Sequence, residues 1–243
     1  MGKYKLKLVH LYPLHLNIYG DIGNIKAIIQ RCKWRDIDIE LENINIGDSI
    51  KENTDIYFIG GGQDRQQIEV ADELAKQKNA LIDEFNNYAV FLGICGGYQL
   101  LGEYYQPHNG KKLLGLGLLD SYTIAGPSRF IGNVTIKTDL TNPNTLVGFE
   151  NHSGLTYLRG KTKPIGEIIV GNGNNGLDKS EGAFNKNAFG TYLHGSFLPK
   201  NPHFCDYLIE LALKKRYKDD IKLQPLDDTI ELKAHESVLN KSY

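Results

Sequence analysis

The chain has 243 residues, of which 41% are hydrophobic and 23% are charged, and its formal net charge is −1. This composition is typical of a globular protein that can form a hydrophobic core, and it lacks the excess positive charge of proteins that bind nucleic acid or anionic membranes. No apolar run reaches the roughly 18 residues of a membrane span, and the first residues lack the apolar core of a signal peptide. We therefore expect a cytoplasmic protein with no nucleic-acid partner and no membrane insertion.

Strands and helices alternate along the first half of the sequence. A first strand is predicted over residues 5–11, and the alternation of acidic and aliphatic residues over 36–41 predicts a half-buried strand. Continuous apolar runs predict buried strands over 56–59 and 88–94. Apolar side chains at helical spacing predict helices between these strands and after the last one. This alternation is typical of an α/β fold with an open, mostly parallel sheet flanked by helices.

The second half has a different pattern, in which strand-like runs are joined by glycine and asparagine turns. These runs predict additional antiparallel strands, and the run GNGNNG predicts a hairpin tip at 171–176. Asn201 and Pro202 are predicted to cap a helix, and a short helix is predicted over 230–239. No linker or internal repeat divides the sequence. We therefore expect a single domain over 1–243, whose residues from about 218 to 243 form a C-terminal extension.

Three cysteines are spread widely along the chain: Cys32, Cys95 and Cys205. They form no CxxC pair, so neither a structural disulfide nor a metal site is predicted. Cys32 and Cys205 lie on apolar helix faces, which is typical of small core residues. Cys95 differs, because it lies in the glycine-rich run GICGG, and these glycines have no evident packing value.

The run GICGG is typical of a nucleophile elbow, in which a buried strand turns sharply into a helix. Small residues make room for the strained turn that exposes the nucleophile. The adjacent helix N-terminus favours a thiolate at Cys95, and the backbone N–H of Gly96 points toward a developing oxyanion. The glycine triplet that ends at Gly62 follows another buried strand. Because both junctions lie at the carboxyl ends of strands, we expect them to be neighbours and Gly62 to supply a second oxyanion donor.

A cysteine nucleophile needs a group that moves protons, and the chain has seven histidines. His152 and His194 each follow a strand-like run, and we select His194 as general base and acid. His108 and His235 lie in polar segments that are predicted to be exposed.

The runs FIGGGQD, GICGGYQ and GTYLHG resemble the motifs of class I, triad-type glutamine amidotransferases and occur in the same order. The resemblance covers about residues 5–215 and implies a flavodoxin-like glutaminase fold. It implies that Cys95 attacks the side-chain amide of L-glutamine, while His194 moves protons and the N–H groups of Gly62 and Gly96 bind the oxyanion. It also implies that Gln99 helps to hold the substrate.

One departure from the family pattern follows His194. Most relatives carry His-x-Glu, whereas this chain has Ser196 at the glutamate position. The subgroup that amidates cobyrinic acids shares this absence, and its members also resemble this chain at YGDIGN and FENHSG. We predict a catalytic dyad in which a backbone carbonyl or another side chain orients His194.

The chain has no room for the ATP-dependent domain of that subgroup and no GxxxxGK[ST] loop, so we expect no cofactor in this chain.

The chain also resembles free-standing glutaminase subunits. That resemblance implies a heterodimer with a MurT-like Mur ligase homologue, which would use ATP and Mg²⁺ to convert D-glutamate of lipid II to D-isoglutamine in peptidoglycan synthesis. On this interpretation Arg129 binds the α-carboxylate of glutamine, since arginine holds carboxylates bidentately. The alternative is an exposed surface charge.

Two other functions stay open. The elbow cysteine would also suit a different thiol hydrolase, such as a peptidase or a redox-stress protein, and the absent glutamate would suit an inactive regulatory or docking subunit. For a partner surface, the sequence offers four apolar residues near its end: Ile230, Leu232, Val238 and Leu239.

Overall fold

The computed structural model describes residues 2–18 and 20–240, so Tyr19, the first residue of YGDIGN, lies outside the described residues. The strands are β1 (Tyr4–Leu11), β2 (Ile37–Ile44), β3 (Ile56–Ile59), β4 (Val90–Ile94), β5 (Tyr104–Gln106), β6 (Leu113–Leu114), β7 (Ser121–Lys137), β8 (Thr145–Leu158), β9 (Gly166–Val170), β10 (Ser180–Glu181), β11 (Ala183–Asn185) and β12 (Ala188–Thr191). The helices are α1 (Ile22–Lys33), α2 (Asp64–Asn86), α3 (Gly96–Leu101), α4 (Pro202–Tyr217) and α5 (Thr229–Leu239). None of these helices is long and apolar enough to cross a membrane.

A six-stranded sheet with the order β11-β12-β4-β3-β1-β2 positions the site. All neighbouring strands are parallel except β11, which pairs antiparallel with β12. Strands β3 and β4 are buried along their whole length, as parallel strands covered on both faces are. The register pairs Ile59 with Gly93 and Thr191 with Ile94, so the chain leaves β3, β4 and β12 at the same sheet edge. The predicted α/β fold is therefore confirmed.

Helices cover this sheet through their apolar faces. Helix α1 buries Ile25, Ile28 and Cys32, and α4 buries Phe204 and Cys205 with other apolar residues. Each large apolar side chain buried in this way contributes about 1.5–3 kcal/mol to the free energy of unfolding. The prediction that Cys32 and Cys205 are core residues is confirmed.

Helix α4 begins at Pro202 with Asn201 at its N-cap position, as predicted, but the asparagine side chain has a different role. Asn201 makes no side-chain capping bond to the helix. Its amide group instead donates to the carbonyls of Val147 and Phe197, and its Oδ1 accepts from the N–H of Val147. The asparagine therefore joins the start of α4 to β8, through the N–H and the carbonyl of Val147.

A second sheet has the order β10-β9-β7-β5-β6, with β8 paired to β7. The long antiparallel pair β7–β8, which matches the predicted antiparallel strands, shifts register between Ala125 and Phe130. The two sheets meet where the backbones of Phe149 and His194 exchange two hydrogen bonds, of 2.9 and 3.3 Å. Residues of β7 and β8 are thereby held at the carboxyl edge of the first sheet.

The run GNGNNG connects the antiparallel strands β9 and β10, as predicted, but it is not an exposed tip. Asn174 and Asn175 are buried, and Oδ1 of Asn174 accepts a hydrogen bond from the Tyr98 hydroxyl at 3.0 Å. This bond joins the loop to α3 and gives the buried hydroxyl of Tyr98 a partner.

The described part of the C-terminal extension is tied to the body of the protein by polar contacts. The guanidinium of Arg31 donates to the carboxylates of Asp206 and Asp228. His235, predicted to be exposed, is 3% exposed. Its Nδ1 lies 2.8 Å from the Lys200 carbonyl and its Nε2 lies 3.0 Å from the Thr145 hydroxyl. These two bonds compensate for the burial of the ring.

Four apolar residues near the end of the chain were suggested for a partner surface. Ile230 is exposed, and Leu232, Val238 and Leu239 are half-buried.

Candidate active site

Cys95 lies at a strained turn between β4 and α3. Its φ and ψ are +50° and −102°, a conformation that costs a non-glycine residue on the order of 1–3 kcal/mol. Neighbouring backbone holds the turn in place: the N–H of Cys95 donates to the Thr191 carbonyl at 2.8 Å, and the Cys95 carbonyl accepts from the N–H of Gln99 at 3.0 Å. The predicted elbow geometry is therefore present.

The glycines around Cys95 are required by packing, contrary to the sequence-based interpretation. A Cβ on Gly97 would lie 2.2 Å from the carbonyl oxygen of Ile59, and a Cβ on Gly93 would lie 2.8 Å from the Gly97 backbone. A Cβ on Gly96 would lie 3.1 Å from the backbone nitrogen of Gly62. These distances confirm that the elbow and the glycine triplet are neighbours, and they show that only glycine permits their backbones to approach so closely.

Cys95 faces a cavity of about 610 Å³, a size suited to a small molecule. The cavity is lined mainly by polar residues of both sheets and of the glycine loop, among them Gly62, Gln67, Gln99, Arg129, Asn151 and His152. Three of the residues selected from the sequence for substrate contact or oxyanion binding, Gly62, Gln99 and Arg129, thus share one cavity with the cysteine.

The side-chain amide of Gln99 is held at both ends. Its Oε1 accepts from Nε2 of Gln67 at 3.1 Å, and its Nε2 lies 3.2 Å from the Tyr192 hydroxyl, which in turn lies 2.7 Å from the Thr156 hydroxyl. A Cβ on Gly154 would lie 2.4 Å from Nε2 of Gln99, so this position must be glycine for the network to form. Gln67 and Tyr192 were not among the predicted site residues, because they come next to Gln99 only through the fold.

Arg129 lies on β7 at the mouth of the cavity. Its Nη1 donates to the backbone carbonyl and to the Oδ1 of Asn151, at 3.2 and 2.9 Å. The positive charge of Arg129 contributes to lowering the pKa of His194, and it opposes the rise in the pKa of Cys95. An exposed cation that acts on both groups is well placed to meet an anionic part of a ligand.

His194 and Cys95 both occur as neutral groups at pH 7. Burial, followed by the charges of His152 and Arg129, lowers the pKa of His194 to about 4. Burial, followed by the charge of Asp21, raises the pKa of Cys95 to about 12, against the hydrogen bond from Gly96. The N–H of Gly96 at the start of α3 lowers the pKa of Cys95, as expected for a helix N-terminus, but desolvation by burial outweighs this effect and the resting group is the thiol.

His152, the other histidine considered, is fixed in the cavity wall. Its ring stacks on Tyr192 with ring centroids 3.6 Å apart, and its Nδ1 lies 2.8 Å from the Gly154 carbonyl. Its Nε2 lies 3.8 Å from a carboxylate oxygen of Glu150. These contacts suit a wall residue more than a group that moves protons.

A carboxylate that the sequence analysis did not assign lies next to His194. Oδ1 of Asp21 is 4.0 Å from Nδ1 of His194. The signal in the sequence was the run YGDIGN, which contributed to the resemblance without a role for its aspartate.

The chain is similar in sequence to known glutamine amidotransferases. Residues 7–202 match the CobB/CobQ-like glutamine amidotransferase domain. The lipid II isoglutaminyl synthase (glutamine-hydrolysing) subunit GatD of Staphylococcus aureus is 41% identical, with 98% of this chain and 97% of that protein covered. The GatD subunit of Streptococcus pneumoniae is 40% identical, with 93% and 88% covered. A cobyric acid synthase of Clostridium botulinum is 29% identical over 94% of this chain and 47% of that protein.

Solved structures share the fold at low sequence identity. PurLQS from Thermotoga maritima has a TM-score of 0.58 at 14% identity, with 90% of this chain and 100% of that chain covered. The glutaminase domain of Trypanosoma brucei CTPS, with bound acivicin, has a TM-score of 0.52 at 9% identity, with 90% and 98% covered. These structures share the fold, and the domain match with the GatD relatives shows that the chain belongs to the CobB/CobQ-like glutamine amidotransferase family.

Proposed function

We propose that this chain hydrolyses L-glutamine to glutamate and ammonia through a thioester at Cys95, as the glutaminase subunit of an amidotransferase. The observation that carries the proposal is the strained elbow of Cys95, which faces a cavity that Gln99 and Arg129 also line. Similarity to two GatD subunits over nearly the whole chain supports it.

The first step joins Cys95 to the substrate. Sγ forms a bond to the side-chain carbonyl carbon of glutamine, the thiol proton passes to His194, and the carbonyl electrons move to oxygen. The backbone N–H groups of Gly62 and Gly96 donate to that oxyanion. Because the resting thiol and imidazole are both neutral, the proton moves during the attack rather than before it.

The second step releases ammonia. The carbon–nitrogen bond breaks as His194 returns its proton to the leaving nitrogen, which leaves a glutamyl thioester on Cys95. Water then adds to the thioester and gives a proton to His194. The carbon–sulfur bond breaks, glutamate departs, and the proton returns to Sγ.

The ammonia released by this reaction needs an acceptor. We propose that it passes to a MurT-like Mur ligase homologue in a cytoplasmic heterodimer, where ATP and Mg²⁺ support the amidation of D-glutamate in lipid II. The relatives' designation as a subunit of lipid II isoglutaminyl synthase supports this assignment. A pull-down of the full chain from native extract should recover a Mur-ligase-like protein, and recovery of a cobyrinic acid amidating enzyme would contradict it.

The proposed reaction is tested by covalent labelling. A glutamine analogue with an electrophile at the side-chain carbonyl position should modify Cys95, and mass spectrometry should find Cys32 and Cys205 unmodified because both are fully buried. Failure to label Cys95 in the presence of the partner would instead support an inactive docking subunit. Peptide cleavage without glutamine turnover would support a different thiol hydrolase.

Substitution of Arg129 by methionine is expected to raise the KM for glutamine about 10- to 150-fold, with a smaller change in kcat. The reason is the loss of charge-assisted hydrogen bonds to the α-carboxylate, which contribute roughly 1.5–3 kcal/mol. Steady-state assays of ammonia release measure both constants. Arg65→Met is the matched control, because Arg65 also lines the cavity but its side chain is 89% exposed and pairs with Glu69. An equal KM in the two variants would show that Arg129 is only a surface charge.

A further inference from the structure

The side-chain amide of Gln67 lies in the wall of the cavity that Cys95 faces, next to the glycine triplet that ends at Gly62. A Cβ on Gly96, the residue that follows Cys95, would lie 2.6 Å from Nε2 of Gln67 and 3.1 Å from the backbone nitrogen of Gly62. Gln67 is 3% exposed. This amide is therefore buried beside both of the proposed oxyanion donors.

A backbone carbonyl fixes which way the amide of Gln67 faces. Its Nε2 lies 3.3 Å from the carbonyl oxygen of Gly62 and 3.1 Å from Oε1 of Gln99. Since a backbone carbonyl can only accept a hydrogen bond, the Gln67 atom that faces it must be the nitrogen, which donates. Within residues 2–18 and 20–240, Oε1 of Gln67 accepts no hydrogen bond. The amide keeps this orientation despite the buried acceptor, because turning it over would place oxygen against oxygen at Gly62.

The orientation of Gln67 sets that of Gln99. Because Nε2 of Gln67 donates, the Gln99 atom that meets it must be the oxygen. The other end of Gln99 imposes no such direction, since its Nε2 lies 3.2 Å from the hydroxyl of Tyr192, and a hydroxyl can donate or accept. The hydroxyl of Thr156, 2.7 Å from that of Tyr192, has the same freedom. The direction of this hydrogen-bond network is therefore fixed at its Gln67 end.

We propose that Gln67 is a specificity-determining residue, which makes the site select the side-chain carboxamide of glutamine over the carboxylate of glutamate. The inference rests on the proposed glutamine hydrolysis and extends it. Attack by Cys95 requires the substrate oxygen at the N–H groups of Gly62 and Gly96, so the substrate amide nitrogen also lies in this part of the cavity. With Gln67 in place, Gln99 presents its oxygen on this side, and that oxygen keeps a lone pair for an N–H of the substrate.

Glutamate is disfavoured by the same arrangement. Its carboxylate has an oxygen where glutamine has NH₂, and this oxygen would meet Oε1 of Gln99 with no proton between them. Without Gln67 the amide of Gln99 could turn over, because the hydroxyl of Tyr192 can donate to an oxygen instead of accepting from a nitrogen. The turned amide would offer an N–H to a carboxylate. Since glutamate is the product of the proposed reaction, Gln67 would also limit product inhibition.

The test is Gln67→Met in the full chain, which keeps the length of the side chain and removes both donors. The measured quantity is the ratio of the competitive inhibition constant of L-glutamate to the KM for L-glutamine. We expect KM to rise about 5- to 10-fold and the inhibition constant not to rise, so the ratio falls at least about fivefold. A general loosening of the site would weaken both ligands and leave the ratio unchanged. Gln67→Ala removes the same donors and serves if the methionine variant does not fold.

Gln66→Met is the matched control, because Gln66 is the same residue type in the same turn of α2. Among the described residues that line the cavity, Gln67 is included and Gln66 is not. We expect KM and the ratio of the two constants to stay within about twofold in this variant.

Tyr192→Phe separates the orientation of Gln99 from the strength with which Gln99 is held. It removes the bond at the other end of Gln99 and leaves the bond from Gln67, so KM should rise while the ratio stays within about twofold. An unchanged ratio in Gln67→Met, or an equal fall in Tyr192→Phe, would overturn the inference. Wild-type protein that neither hydrolyses glutamine nor labels at Cys95 would instead overturn the proposed function, and the inference with it.

Discussion

Replacement of Cys95 by alanine is expected to abolish glutamine hydrolysis, with kcat reduced by at least about 10⁴-fold. Alanine has no nucleophile, and no thioester can form without the sulfur. Release of ammonia and of glutamate, measured separately, reports the loss directly. The fold should survive, because alanine is smaller and keeps the backbone hydrogen bonds to Thr191 and Gln99.

Cys32→Ala and Cys205→Ala are the controls for this result. Both side chains are fully buried in the core on helices α1 and α4, and burial raises the pKa of both thiols. Their removal should lower the melting temperature slightly through lost packing and leave kcat within about twofold. Full hydrolysis by Cys95→Ala, or loss of hydrolysis in either control, would contradict the assignment of the nucleophile.

Replacement of His194 by asparagine should lower kcat by about 10²- to 10⁴-fold, the usual contribution of a positioned general base and acid. Asparagine is close in size but cannot take up the thiol proton or deliver one to the leaving nitrogen. The pKa of Cys95, raised to about 12, makes this dependence strong, because few thiolates exist at neutral pH without a base. Pre-steady-state measurement of ammonia release separates the acylation step from thioester hydrolysis, and both should slow.

His152→Asn distinguishes the two histidines that the sequence left as candidates. His152 lines the cavity and stacks on Tyr192, so its loss should disturb the wall and raise KM more than it lowers kcat. A larger fall in kcat for His152→Asn than for His194→Asn would reverse the assignment of the general base.

The fold was largely predictable because its signals are local. Continuous apolar runs such as 56–59 and 88–94 can be buried on both faces only in a covered parallel strand, and the structure has β3 and β4 there. The extent of β7 and β8 was not predictable in the same way. Their pairing depends on contacts between distant residues. The register shift between Ala125 and Phe130 falls at Gly126 and Pro127, which are typical of an interrupted strand, but these residues do not tell which strand pairs on either side of them.

In the candidate site, too, the features with a local sequence signal were predictable and those that depend on the fold were not. The elbow at Cys95 was predictable because a strained turn between strand and helix requires small neighbours, and these neighbours are adjacent to Cys95 in the sequence. The partners of Gln99 were not visible, since Gln67 and Tyr192 come from different elements. The exposed placement predicted for His235 was wrong because its hydrogen-bond partners, Lys200 and Thr145, lie elsewhere in the chain.

The sequence by itself determined the α/β architecture, the elbow cysteine and the family, because periodicity, glycine placement and ordered motifs are properties of the linear chain. Only the tertiary structure decided which groups surround Cys95 and in which protonation state they rest. Burial sets the pKa values of Cys95 and His194, and the meeting of two distant loops places Asp21 beside His194. Both effects arise from desolvation and from distances across the fold, and neither has a counterpart in residues that are adjacent in sequence.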